Sequence, residues 1–414
     1  MKKFTVVAGL AAALMLSTSA FATDLEVTHW WTSGGESAAV KEFAKAFDAT
    51  GNHWVDGAIA GSGDTARPII ISRILGGNPM GATQLNPGKD ADDLVKANLM
   101  LDLTDLAKKE GWDKIINPPS QLASCTYDGH VYCVPVNLHS GQWMYINRHV
   151  YEDAGLPVPK DWFEFVKSVP DLKAKAPTVV PLAVANGWPV QTLLGDIEVA
   201  VAGTDNYVKV YKGRDVALAS GPEYRKVFEA FDAARNVVDP ATMVPQWNDA
   251  SALVIQGKAA ANVMGDWASG EFSVANMVAG KDFDCLPGLG VNPVLDTGGD
   301  VFYFPKNTNP DVEKAQLVLA STLLNKDTQV AFNLKKGSLP IRLDVDISKA
   351  NDCMQKGLAI LKSGAAFPSG SQMLDRDSLN QIRDLENNFF ADHNVTIDEA
   401  QAQFADIIKN APPL

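Results

Sequence analysis

The stretch that most limits what this chain can become is LEVTHWWTSGGESAAVKEFAKAF, residues 25–47. It opens on a strand pattern around Leu25 and Val27, breaks at Trp30-Trp31 and Gly34-Gly35, and resumes as a helix near Glu36. Val40, Phe43, Ala44 and Phe47 fall at i, i+3, i+4 and i+7, the apolar stripe of an amphipathic helix. Strand, loop and helix in that order is an α/β unit, and its loop lies past the strand's carboxyl end, where open sheets bind ligands. The free N–H groups that open the helix are expected to face the same crevice. Two adjacent indoles cannot easily turn into one core. An exposed indole face beside a carboxylate suits a sugar, which stacks its C–H face and needs ionic partners for its hydroxyls.

The chain starts with a leader: Lys2-Lys3, an apolar run from Val6 to Leu16, and Ala20-Phe21-Ala22 as an A-x-A cleavage site. Cleavage after Ala22 would start the mature protein at Thr23 and deliver it to a periplasm. The apolar run is too short to cross a bilayer, and no lipobox cysteine is present. Nearly four hundred mature residues are too many for one core and call for two lobes. The formal charge of −13 becomes −15 without Lys2 and Lys3, which speaks against nucleic acid and anionic membranes as partners.

An even count of four cysteines in an oxidising compartment favours disulfides. Cys125 and Cys133 flank Asp128-Gly129, a hairpin turn signal, and a three-residue loop would set them opposite each other. Cys285 and Cys353 then pair by elimination. Six scattered histidines show no ligand spacing, so neither a metal nor another cofactor is expected.

Strands are expected at residues 54–59, 82–85, 260–264 and 301–304, and helices at 64–75, 92–97, 224–238, 250–256 and 311–325. Residues 131–147 form a long β-rich run that could leave one lobe and enter the other. No low-complexity linker separates two halves, so the chain is expected to cross between lobes more than once.

There is no nucleophile elbow, phosphate loop or dinucleotide fingerprint. A two-carboxylate glycoside hydrolase would show no fixed spacing, but no carboxylate sits in a context that would clearly raise its pKa. Trp30, Trp31, Trp188, Trp247 and Trp267 all lie beside Gly, Pro, Asn or Asp, as a stacking cleft would require; Trp54, Trp112 and Trp162 sit in amphipathic settings and should pack. Lys89, Asp300 and Lys336 are each next to glycine and read, from their neighbours alone, as solvated turn residues. Asn137 and His139 share one face of the long β run.

Together THWWTSGGE, GKD, YCVPVNLHSGQWMYIN, PQWND, GDWASGEF, GGDVFYFPKN and KKGSLPIR resemble the glucose/mannose-type solute-binding proteins of ABC sugar importers, relatives of the maltose-binding-like extracellular proteins. The likeness covers essentially the whole mature chain. It implies an α/β, two-lobed periplasmic binding protein fold with several interlobe crossovers and a ligand cleft between the lobes. The lobes would comprise residues 23–136 with about 300–340, and about 137–299 with 341–414. It implies sugar contacts from Trp30, Trp31 and Glu36, then Gln84 and Lys89, Asn137 and His139, Trp247 and Trp267, Asp300 and Lys336. Where the family carries a late histidine, this sequence has Gln372, with Ser371 beside it, a change that redirects which hydroxyl is read. The expected function is capture of a monosaccharide, glucose or a similar hexose, by a non-catalytic monomer that delivers it to an inner-membrane permease. A disaccharide or sugar alcohol is the alternative ligand, and a secreted glycoside hydrolase the alternative class.

Overall fold

The structure is a computed structural model. It describes residues 22–413, except residues 88, 297, 369, 371 and 372 and the side chains of residues 89 and 90. The expected leader, up to residue 21, lies outside the described residues, as do the calls on Ser371 and Gln372.

Nine strands build two sheets: β1 (Asp24–His29), β2 (His53–Ala58), β3 (Ala82–Leu85), β4 (Cys133–Pro135), β5 (Trp143–Asn147), β6 (Val180–Ala183), β7 (Ala259–Met264), β8 (Phe283–Pro287) and β9 (Val301–Tyr303). The first sheet runs β2-β1-β3-β9-β4, the second β8-β5-β7-β6. In the first, β1 is parallel to β2 and β3, while β9 lies antiparallel between β3 and β4. The helices used below are α1 (Gly34–Asp48), α2 (Ser62–Leu75), α3 (Trp188–Ala202), α4 (Trp247–Ile255), α5 (Ala268–Val274), α6 (Lys326–Lys336), α7 (Asp352–Ser363) and α8 (Arg376–Ala391).

The opening stretch folds as its pattern dictates. Leu25 and Val27 of β1 are buried, and so are Val40, Phe43 and Phe47 of α1. One apolar core gathers Trp31, Phe43, Phe302 and Phe332; a second gathers Tyr224, Phe228, Phe389 and Phe404. Trp54, Trp112 and Trp162 are packing residues. Helix α4 starts at Trp247 rather than Ala250, because Gln246 and Asp249 form a capping box that brings the indole into its first turn.

The long β run is not one strand. β4 belongs to the first sheet and β5 to the second, so the chain changes lobes between them. It returns between β8 and β9, and leaves again after α6. The three crossing segments lie side by side: Leu138 bridges Leu339, His139 bridges Gly298, and the Val136 N–H donates to the Asp300 carbonyl at 2.9 Å. Three short crossing segments side by side are the arrangement from which hinges are built.

Both expected cysteine pairs are formed, Cys125–Cys133 and Cys285–Cys353. The hairpin loop is shorter than expected. Asp128 and Gly129, both at positive φ, make a two-residue turn, and Thr126 pairs with Val131. The cysteines are therefore one residue out of register with each other. The Cys285–Cys353 bond joins β8 to α7 across 68 residues, against 8 for the other. In the chain-entropy model the longer loop contributes about 4 kcal/mol and the shorter about 2.5 kcal/mol. Reduction is expected to lower the urea midpoint, with most of the loss reproduced by Cys285→Ala/Cys353→Ala. An unchanged midpoint after reduction would contradict this.

Candidate functional site

A cleft of about 780 Å³ opens between the sheets, bounded by the loops after β1 and β2, the start of α3 and α4, and the crossing segments. Trp30, Trp31, Glu36, His139, Trp247, Trp267, Asp300 and Lys336 all border it.

The first lobe's wall comes from the WWTSGGE segment. Ser33 caps α1 and accepts the Glu36 N–H. The Gly35 N–H donates to Glu271 of α5 at 2.7 Å. The helix's opening donors are thus largely taken by the protein, contrary to the expectation that they face a ligand. A Cβ on Gly35 would come within 2.6 Å of the Gly270 backbone, so the glycine is what lets α1 touch α5.

The two tryptophans part ways. Trp31 is 1% exposed, packed among Phe43, Phe302 and Phe332, with only an edge at the cleft. Trp30 is half-buried and turns to the cleft, where Arg67 of α2 lies over its ring at 5.9 Å. Across the cleft, Trp267 stands edge-on to His139 at 5.1 Å and meets Trp188 at 6.1 Å. Trp267 folds back over Gly265, where a Cβ would lie about 2.1 Å from the ring.

Lys336 is no solvated turn residue. It ends α6 and is 1% exposed, and its Nζ donates to Glu36 Oε1 at 2.7 Å beneath the Trp31 ring. Asp300 is also largely buried. It accepts from Gln84 Nε2 at 2.8 Å and Asn137 Nδ2 at 2.9 Å, and pairs with His139 Nε2. The other imidazole nitrogen meets Asp266 at 2.7 Å. Gln84 and Asn137 are fully buried and do not border the cleft: they hold Asp300 from behind, and Gln84 also accepts the Trp30 N–H. The side chain of Lys89 lies outside the described residues.

Burial opposes a charge on His139, but Asp300 and Asp266 outweigh it and hold the imidazole at about 9. Burial likewise opposes ionisation of Asp300, yet His139 and Lys336 hold it well below the carboxylate range. On Asp266 burial wins and lifts the pKa. Asp296 nearby is pushed up to about 6, first by burial and then by Asp266.

The sign follows from linkage. A histidine held up in the fold adds stability that is complete below its unfolded value, about 6.5, and lost as pH rises through about 9. The melting temperature is expected to fall between about pH 7 and 9.5, with both His139 nitrogens protonated at pH 7 in imidazole NMR. A neutral imidazole there would contradict this.

Sequence reasoning did not assign Arg67, Gln191, Gln246, Asn248 or Arg383, which also border the cleft. Trp188, expected among the aromatics of a stacking cleft but not among the contacts implied by the resemblance, does border it. The others lie on helices or loops whose facing direction no local pattern reveals. Among the described residues, no group of three His, Cys, Asp or Glu side chains could hold a metal ion, and no helix is long and apolar enough to cross a membrane.

Two lobes on paired sheets, three crossing segments and an aromatic cleft define a hinged ligand receptor. The chain belongs to the bacterial extracellular solute-binding proteins, whose family model matches residues 31–325. It is 36% identical over 361 residues to a "Probable sugar-binding periplasmic protein" of Rhizobium meliloti, covering 86% of each chain. It is 35% identical over 414 residues to a protein of the same description from Mesorhizobium japonicum, covering 97% of this chain and 98% of that one. Maltose-bound MalE3 of T. maritima shares the fold, with a TM-score of 0.71, 18% identity and coverage of 94% of this chain and 99% of that one.

Proposed function

We propose that this protein captures a sugar in the cleft, without altering it, and delivers it to an ABC permease. The carrying observation is the cleft itself: Trp30, Trp247, Trp267 and Trp188 line it together with two buried ion-paired centres, Glu36–Lys336 and His139–Asp300. Aromatic faces take the apolar side of a pyranose, and ionised groups make the strong hydrogen bonds its hydroxyls require. Lys336 retains donor capacity after serving Glu36, and both carboxylates retain acceptor lone pairs. The residues called from the resemblance thus divide into cleft groups and supports, with Gln84 and Asn137 supporting Asp300. The descriptions of the two rhizobial relatives agree with this reading. Export after Ala22, the lobe boundaries and a ring of glucose or a similar hexose beside Trp267 belong to the same proposal.

The crossing segments allow the lobes to close, and a sugar contacting both walls would favour the closed population that a permease can read. The test is a tryptophan-fluorescence titration of protein unfolded, freed of ligand and refolded, against glucose, mannose, galactose, xylose and maltose. A saturable change is expected with at least one sugar, and Trp267→Ala should weaken it roughly tenfold or more. No response to any sugar, or release of reducing sugar from an oligosaccharide, would overturn the reading.

A further inference from the structure

Two of the helices that border the cleft also carry acids into the second core. Helix α3 presents Trp188 and Gln191 to the cleft, and Gln191, Thr192, Gly195 and Asp196 to an open pocket continuous with it. Two turns on from Gln191, Glu198 is 2% exposed. Helix α8 presents Arg383 to the cleft, and Glu386, three residues on, is 8% exposed. Both glutamates line one small cavity of about 10 Å³ inside the second core, together with Tyr224, Phe228, Phe231 and Phe404. All of these residues are buried, and the space is about that of one water.

Nothing basic is buried with the two acids among the described residues. Glu198 Oε2 accepts from the Tyr211 hydroxyl at 2.8 Å, while Glu198 Oε1 and the Tyr224 hydroxyl have no hydrogen-bond partner among the described residues. The titratable groups that face the pair are Tyr207 and Tyr211 of the helix Thr204–Tyr211, Tyr224 of the helix Pro222–Val237, and Arg383 of α8. Arg383 is exposed. Arg235, on the helix of Tyr224, is spent on Asp232 and on the Phe389 and Asp392 carbonyls at the end of α8. The helix Ile397–Asn410 turns Phe404 to the cavity and its charged residues to solvent. Burial first, then the facing Glu198, pushes Glu386 well above the carboxylate range. Burial lifts Glu198 to about 7, against the hydroxyls of Tyr211 and Tyr224. Two carboxyls that face each other in an apolar site do not readily both ionise.

We infer that Glu198 and Glu386 form a proton-binding pair that makes the second wall of the cleft sensitive to pH: α3 and α8 pack firmly while a proton stays on the pair and are loosened by its loss. The two helices that hold the pair are the same two that bring Trp188, Gln191 and Arg383 to the cleft, so the loosening reaches that wall. The inference does not depend on what the cleft binds. An acid held up in the fold adds stability that is complete below its unfolded value, about 4.5 for a glutamate, and lost as pH rises through its folded one. For Glu198 the loss runs from about pH 4.5 to about pH 7, and Glu386 shifts the same way.

The test is native-state hydrogen exchange on the wild type and on Glu198→Gln/Glu386→Gln, which is uncharged here at every pH. At each pH the ratio of wild-type to variant rates cancels the other titrating groups, His139 and Asp296 included. For amides of α3 and α8 that ratio is expected to rise roughly tenfold or more between pH 5 and pH 8. For amides of α1, in the first core, it should stay within about twofold. Equal ratios at the two pH values, or a rise shared in full by α1, would overturn the inference. If the double variant does not fold, the infrared difference spectrum between the wild type and Glu386→Gln at pH 6 decides. A protonated-carboxyl band lost in the variant is expected, and its absence overturns the pair.

Discussion

Trp31→Ala is expected to cost about 3–5 kcal/mol of stability, the range for removing a large aromatic from a packed core. The resemblance makes Trp31 a sugar contact, and its burial gives it a second role in the core. The Trp31 indole is 1% exposed, and its ring joins α1, β9 and α6 through Phe43, Phe302 and Phe332. Its N–H donates from the backbone to His29 Nδ1 at 3.2 Å, and that imidazole meets Asp56 at 2.8 Å. Truncation leaves a cavity under the cleft floor, so any loss of sugar binding would follow from a damaged floor as well as a missing contact. Urea unfolding of Trp31→Ala and Trp267→Ala side by side decides this. The first should lose several times more stability than the second, and equal losses would return Trp31 to the role of a simple ligand contact.

Lys336→Met should be comparably severe. The lysine and Glu36 are buried together, with side chains 2% and 9% exposed, so removing the ammonium strands a carboxylate whose remaining side-chain partner is Ser33 at 3.1 Å. Breaking a buried pair on one side costs about 3–5 kcal/mol, because the abandoned charge stays desolvated. The double variant Glu36→Gln/Lys336→Met is expected to recover most of that loss, since no charge remains buried alone. It should not recover sugar binding if the pair supplies hydrogen bonds to the ligand. A double variant that is stable and binds normally would make the pair purely structural. One no more stable than the single variant would show that packing, rather than charge, sets the cost.

The same contrast runs through the rest of the site. Residues 25–47 carried their fold openly, because alternation in β1 and the 3.6-residue period in α1 are local properties of the chain. Gly34-Gly35 read as a break before a helix near Glu36, whereas α1 already begins at Gly34 behind the Ser33 cap. What that segment could not disclose is that Gly35 is spent on contact with Gly270 and Glu271, more than two hundred residues away. Asp300 and Lys336 looked like turn residues, since glycine neighbours mark turns whether the next side chain is solvated or buried. Their burial depends on three crossing segments meeting, which is a non-local event. Gln84 and Asn137 were picked as ligand contacts from the resemblance, but they reach Asp300 from its buried side.

The α3 stripe was legible in principle. Gln191, Thr192, Gly195 and Asp196 sit at helical spacing opposite an apolar face, but such a stripe usually means a solvated surface. Only the placement of α3 against the crossing segments shows that this one lines an open pocket continuous with the cleft. By itself the sequence determined the elements, the α/β class, the cysteine partners and the family, because periodicity, turn chemistry and motifs are written locally. Tertiary structure decided which tryptophan faces the cleft and which packs, which ions are buried in pairs, and how far the cleft extends. Those properties belong to the space between elements, which exists only once both lobes have folded around the hinge.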